Sequence, residues 1–184
     1  IYNVLTIFIF FILGIMIFIF SIGPYKEIHN QIGVGIIWTL LILSGNLAIK
    51  NIMQDDFDDG NLTIIHLSGI SFEIIVLIKM LSSWLFFQFP FLIIIPIACV
   101  LLNIEPNKIY IIIIIFIISS PILTCISVIS SSMNLLNDRN FTVGSLILMF
   151  LSIPLIIFSV GTINANQDLY KSQLNILIGI LLLF

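Results

Sequence analysis

The sequence predicts an all-α, polytopic membrane protein, and three observations carry that prediction. Hydrophobic residues make up 60% of the 184 and charged residues only 8%. Apolar runs of roughly 18 residues or more recur along the chain, each long enough to cross a hydrocarbon core of ~30 Å. The few charges gather between those runs, because an ionised side chain at bilayer depth costs about 2.5–3.5 kcal/mol. With a mean hydropathy of +1.29, no water-soluble fold hides this much Ile, Leu and Phe.

The runs divide a single transmembrane domain, 1–184, into six spans. Span one covers about Tyr2–Ile22 and is stopped by Gly23-Pro24, since proline cannot continue the backbone ladder. It is too long, and lacks the cleavage site, for a signal peptide. A polar turn, Tyr25 to Gln31, leads to span two at about Ile32–Ile49, with Lys50 at its interfacial end. Asp59 or Asn61 is placed to cap a short surface helix over Leu62–Leu67, whose Leu62, Ile65 and Leu67 face the membrane or a partner. Ser68, Gly69 and Ser71 break it.

Span three, about 74–102, is longer than one straight crossing needs, and Pro90 and Pro96 predict a kink in it. Span four, about 109–130, is interrupted by Ser119-Ser120-Pro121, where serines can satisfy the carbonyls that proline frees. Span five is about 141–160, with Pro154 as a kink, and a sixth begins near Leu174 and runs to 184. The chain starts at Ile1 rather than Met and stops inside an apolar run, so it is expected to be a fragment at both ends.

Composition excludes several functions. The net charge is −3 and the six Lys+Arg are scattered, which leaves no basic patch for nucleic acid or anionic lipid. Cys99 and Cys125 lie in apolar runs and read as buried free thiols. There is no GxxxxGK[ST] phosphate cradle, no HExxH and no Ser/His/Asp context, so no enzyme is expected and no catalytic, cofactor or metal residue is assigned. His29 and His66 fall in polar turns and read as solvated surface residues, with haem ligation the minority alternative. Trp38 and Trp84 fall near predicted span ends and read as interfacial anchors.

What remains is the stretch from Gln54 to Lys79. Four aspartates, Asp55, Asp56, Asp58 and Asp59, fall within five residues and end at Gly60. They must stand in water at a membrane face, as a loop between spans two and three. No acidic or basic residue falls in the middle of a span, whereas ion-coupled pumps place ionisable groups there. Energy for transport then comes from elsewhere, and an attached ATPase is the obvious source. The acidic stretch would be its landing site, since clustered charge steers and registers a partner; the bland reading is a solvated loop.

The stretch QDDFDDGNL, followed by IKMLSSWLFFQFPFLIIIP, resembles the haem exporter B family (CcmB), as do SIGP at Ser21–Pro24, GVGIIW at Gly33–Trp38 and IPLIIF at Ile153–Phe158. The DD-x-x-DG element and the K-x-x-x-x-W that follows are the specific part. The resemblance implies an ABC-2-type permease with six transmembrane helices in the inner membrane, the membrane subunit of a complex for cytochrome c maturation. It implies a CcmA-like ABC ATPase on the cytosolic or matrix side, other membrane subunits of that pathway, and a homodimer. Haem is the implied cargo rather than a bound cofactor, with release of a haem-loaded chaperone as the other possibility. Asp55, Asp56, Asp58, Asp59, Gly60 and Leu62 then lie on the element that contacts the ATPase, and Arg139 matches a basic position in the second loop on that side. NLLNDRNF departs from the family's glycine-rich basic turn. The rival class is a non-transporting scaffold subunit of a respiratory or assembly complex.

Overall fold

The computed structural model describes residues 2–135 and 142–183. They form helices throughout, with no strand among the described residues: α1 (Tyr2–Ile22), α2 (Lys26–Asp58), α3 (Asn61–Leu67), α4 (Phe72–Ser83), a π-helical segment (Trp84–Gln88), α5 (Phe91–Leu101), α6 (Pro106–Leu135), α7 (Thr142–Asn164) and α8 (Gln167–Leu183). Five crossings are long and apolar enough for a bilayer: α1, α2, the α4–π–α5 unit, α6 and α7. The sixth predicted span corresponds to α8, whose apolar part is shorter, Leu169–Leu183. Helix α8 starts at Gln167, seven residues before the predicted start of span six at Leu174.

Burial separates the crossings into a core and a jacket. In α6 67% of the spanning window is buried and in α2 56%, against 17% in α1 and 28% in the α4–π–α5 unit. The two inner helices pack on each other and both pack on α7, while α1 covers α2 and α8 covers α7. The centre is a continuous apolar cluster that includes Phe11, Ile37, Trp38, Ile95, Phe116 and Ile126. The outer faces carry Phe20, Phe86, Ile93 and Phe150, which would cost free energy in water and suit lipid.

Many hydroxyls within the crossings are satisfied in their own helix, although Ser130 Oγ and Ser159 Oγ have no partner among the described residues. Thr124 Oγ1 donates to the Ser120 carbonyl at 2.9 Å and Ser127 Oγ to the Leu123 carbonyl at 2.8 Å. Ser119 and Ser120 make the corresponding contacts to Phe116 and Ile117, and α6 runs on through Pro121 without the expected interruption. The hydroxyls supply bonds beside the turn where proline withdraws one.

Four expectations are corrected. Span two was placed at 32–49, but α2 begins at Lys26, which puts Trp38 about 18 Å into the helix. Trp38 is accordingly a core residue, 2% exposed, and not an interfacial anchor. Trp84 also lies inside its crossing, where Nε1 donates to Ser120 Oγ at 3.0 Å and joins the π segment to α6. His29, expected on the surface, is 2% exposed in the first turns of α2, with Nε2 donating to the Gly23 carbonyl at 2.8 Å. His66 is exposed as expected.

Helices α6 and α7 meet at Gly144. Its N–H donates to Asn134 Oδ1 at 2.8 Å, and a Cβ there would stand 2.4 Å from the Ser130 carbonyl oxygen. Small residues at such crossings let backbones approach. Gly144→Ala is therefore expected to cost about 1–3 kcal/mol by overpacking, measured as a lowered thermal midpoint in nanodiscs; an unchanged midpoint would contradict this contact. A double-mutant cycle of Trp84→Phe and Ser120→Ala should return a coupling of about 0.6–1.7 kcal/mol, the range for interhelical hydrogen bonds in membranes.

Candidate functional site

The acidic residues do not form a loop. Helix α2 has 33 residues, so it is about 50 Å long, some 20 Å more than the hydrocarbon is thick. The excess carries the helix out of the membrane, and Asp55, Asp56 and Asp58 ride on its last turns. Asp59 and Gly60 make the turn that follows. Gly60 has φ +73°, a conformation that favours glycine, and its N–H donates to the Phe57 carbonyl at 3.1 Å.

Gly60 also stands at the N-cap of α3, with no side-chain cap; the capping expected from Asp59 or Asn61 is absent. The Thr63 and Ile64 N–H groups reach the Gly60 carbonyl instead, at 3.1 and 3.2 Å. The short helix itself lies where it was expected, Asn61–Leu67. Its faces differ from expectation. Leu62 and Ile65 are half-buried, while Ile64 is 64% and Leu67 79% exposed. Leu62 thus lies on the more covered side of α3, and the exposed apolar ridge is Ile64 and Leu67, with Phe57 and Phe72 also exposed nearby in sequence.

Helix α3 rests against both α2 and α4. Ser68 Oγ donates to the Ile65 carbonyl at 2.6 Å, and Gly69 turns the chain with φ +92°. His66 stacks on Phe72 with ring centroids 4.0 Å apart, and its Nδ1 donates to the Ile70 carbonyl at 3.2 Å. These local bonds give the bend a defined shape.

Its electrostatics are unfavourable by themselves. A helix C-terminus carries the negative end of the macrodipole, so each acid there is destabilised by about 0.3–1 kcal/mol. One offset is visible: Lys79 of α4 forms an ion pair with Asp56, clamping the two helices that flank the bend. Another is Gln54, whose Nε2 donates to Asp58 Oδ1 at 3.0 Å. Asp58 and Asp59 are exposed to solvent. The Asp55 side chain lies outside the described set, and Arg139 lies outside the described residues altogether, so the bend is built here from Asp56, Asp58, Asp59, Gly60 and Leu62.

The bend can offer negative charge and an apolar ridge to a partner. Among the described residues no group of three or more His, Cys, Asp or Glu is arranged to hold a metal ion. Cys99 and Cys125 are free thiols. The opposite end of the bundle has its own polar lock: Asn30 Nδ2 donates to Glu105 Oε1 at 2.8 Å, and Lys108 lies 3.7 Å from Glu105. A further buried polar position escaped the sequence reading. Gln88, in the middle of the third crossing, is 5% exposed; its signal was an amide lying next to Phe-Pro inside an otherwise apolar run.

Known proteins match most of the chain. The sequence profile of the CcmB protein family matches residues 2–183. A relative named heme exporter protein B from Haemophilus influenzae is 30% identical over 156 residues, covering 85% of this chain and 71% of the relative. Proteins of the same name from Pseudomonas aeruginosa and Bradyrhizobium diazoefficiens are 23% and 25% identical, each over 71% of its own length. A profile match that runs through the acidic bend and every crossing, on an all-α bundle with five bilayer-length crossings, places this chain in the CcmB family.

Proposed function

We propose that this chain is the permease half of an ABC-type complex of the inner membrane, driven by a separate ATPase that docks on the acidic bend from the cytosolic or matrix side. One observation carries the reading: three of the four aspartates, Asp55, Asp56 and Asp58, sit on the same uninterrupted helix that forms the centre of the bundle, and Asp59 follows directly in the turn. Helix α2 runs from Lys26 to Asp58 and packs on α1, α6 and α7. A push on the bend is then a push on the core, with no hinge between them to absorb it. The Lys79–Asp56 pair spreads the same load into α4.

The name of the relatives, heme exporter protein B, supports haem as the cargo. In this reading two copies bracket the path, other membrane subunits of cytochrome c maturation complete the assembly, and the work exports haem or releases a haem-loaded chaperone. No charged residue in the described crossings supplies an ion relay, which is consistent with energy arriving from outside the bilayer.

Substituting Asp55, Asp56, Asp58 and Asp59 together by Asn is expected to remove most co-purifying ATPase, while Lys79→Gln, which leaves the acids in place, retains it. Association should also weaken with added salt, because exposed charge is screened beyond about 10 Å at 0.1 M. Undiminished capture by the four-Asn variant sinks the docking role. Cytochrome c maturation that persists when the partner ATPase cannot hydrolyse ATP would instead indicate a scaffold.

A further inference from the structure

The middle of the third crossing holds a buried amide whose acceptor has no partner among the described residues. Gln88 closes the π segment, and its Oε1 makes no hydrogen bond among the described residues. With Ser83, Thr124 and Ser127 it lines a cavity between α1, α2, the π segment and α6. Phe87 and Phe91 form part of the apolar wall, and the volume is about 10 Å³, close to one water-sized sphere.

The neighbours decide what fits. An amide oxygen needs a donor, and hydrocarbon supplies none. The hydroxyl protons of Thr124 and Ser127 are committed to the Ser120 and Leu123 carbonyls, so both side chains have only acceptor capacity left. The occupant must therefore donate to Gln88 Oε1, donate again wherever it meets Thr124 or Ser127, and be no larger than a water. A cation meets the first demand, but no acidic residue is among the lining residues to offset its desolvation.

We propose that this cavity is an intramembrane water site, in which one water donates to Gln88 Oε1 and to a hydroxyl oxygen of Thr124 or Ser127. The backbone around it favours such a guest. The Phe89 N–H reaches back to the Trp84 carbonyl at 3.1 Å in the wider π register, and Pro90 has no N–H to offer the turn before it. The water would tie the π segment to α6 beside the Trp84–Ser120 bond. This assignment stands apart from the proposed transport role and does not need it.

Radiolytic hydroxyl labelling of the full chain in lipid nanodiscs tests it, because radicals form only where water is. Phe87 and Phe91 should be modified several-fold faster than Phe86 and Phe89, which are 67% and 52% exposed on the outer surface. Gln88→Leu should abolish the excess. Gln88→Met, of similar size, separates the cases by stability: a hydrated site loses a hydrogen bond and its melting midpoint falls, whereas a dry one sheds an orphan acceptor and its midpoint rises. Equal labelling of the two phenylalanine pairs, or a midpoint in Gln88→Met that stays level or rises, overturns the proposal.

Discussion

Hydrocarbon offers no hydrogen bonds, and this bundle is arranged around that fact. Each hydroxyl that enters a crossing must find an acceptor inside the protein, and most find one in their own helix. Thr39, Ser44, Thr124, Ser127, Ser132, Ser152 and Thr162 all donate to carbonyls three or four residues earlier. Helices α2 and α6, with α7 packed on both, can thus carry many small polar residues and still form the inner layer. Those residues keep interhelical distances short, as at Gly144 against Ser130. A purely aliphatic set would separate the backbones, and the Asn134 and Trp84 bonds that cross between helices could not form.

The same constraint expels charge, and the length of α2 determines where it goes. An eighteen-residue helix would have ended near the interface and left the aspartates on a pliant loop. The longer helix presents them on a stiff projection, where the macrodipole works against them. Lys79 offsets part of that cost by pairing with Asp56, and in doing so ties the start of the third crossing to the end of the second. The remaining exposed acids, Asp58 and Asp59, face solvent at some expense to the isolated chain.

Stiffness and interruption are distributed unequally. Helix α2 is uninterrupted among the described residues, and α6 passes through Pro121 without a break. The third crossing, by contrast, changes from α to π to α around Trp84–Pro90. A bundle with rigid centre helices and one irregular outer crossing can transmit displacement through the former while the latter accommodates it. The π segment is also where the buried amide Gln88 lies.

Helix α1 appears where the sequence placed it, Tyr2–Ile22. The α4–π–α5 unit, α6 and α7 overlap predicted spans three, four and five, whereas α8 starts seven residues before the predicted sixth span, and the surface helix over residues 62–67 was equally plain. Membership of the CcmB family followed from QDDFDDGNL and the residues after it. These are local properties: run length, proline and glycine punctuation, and the cost of burying charge act on the chain wherever it packs. Tertiary structure decided the rest. Whether the aspartates end a helix, which aspartate Lys79 meets, that His29 and Trp38 are buried, and that Gln88 lines a cavity all depend on which helix faces which. Hydropathy measures how much a residue prefers oil to water, but in a membrane both lipid and protein core satisfy that preference, so it cannot tell an inner helix from an outer one.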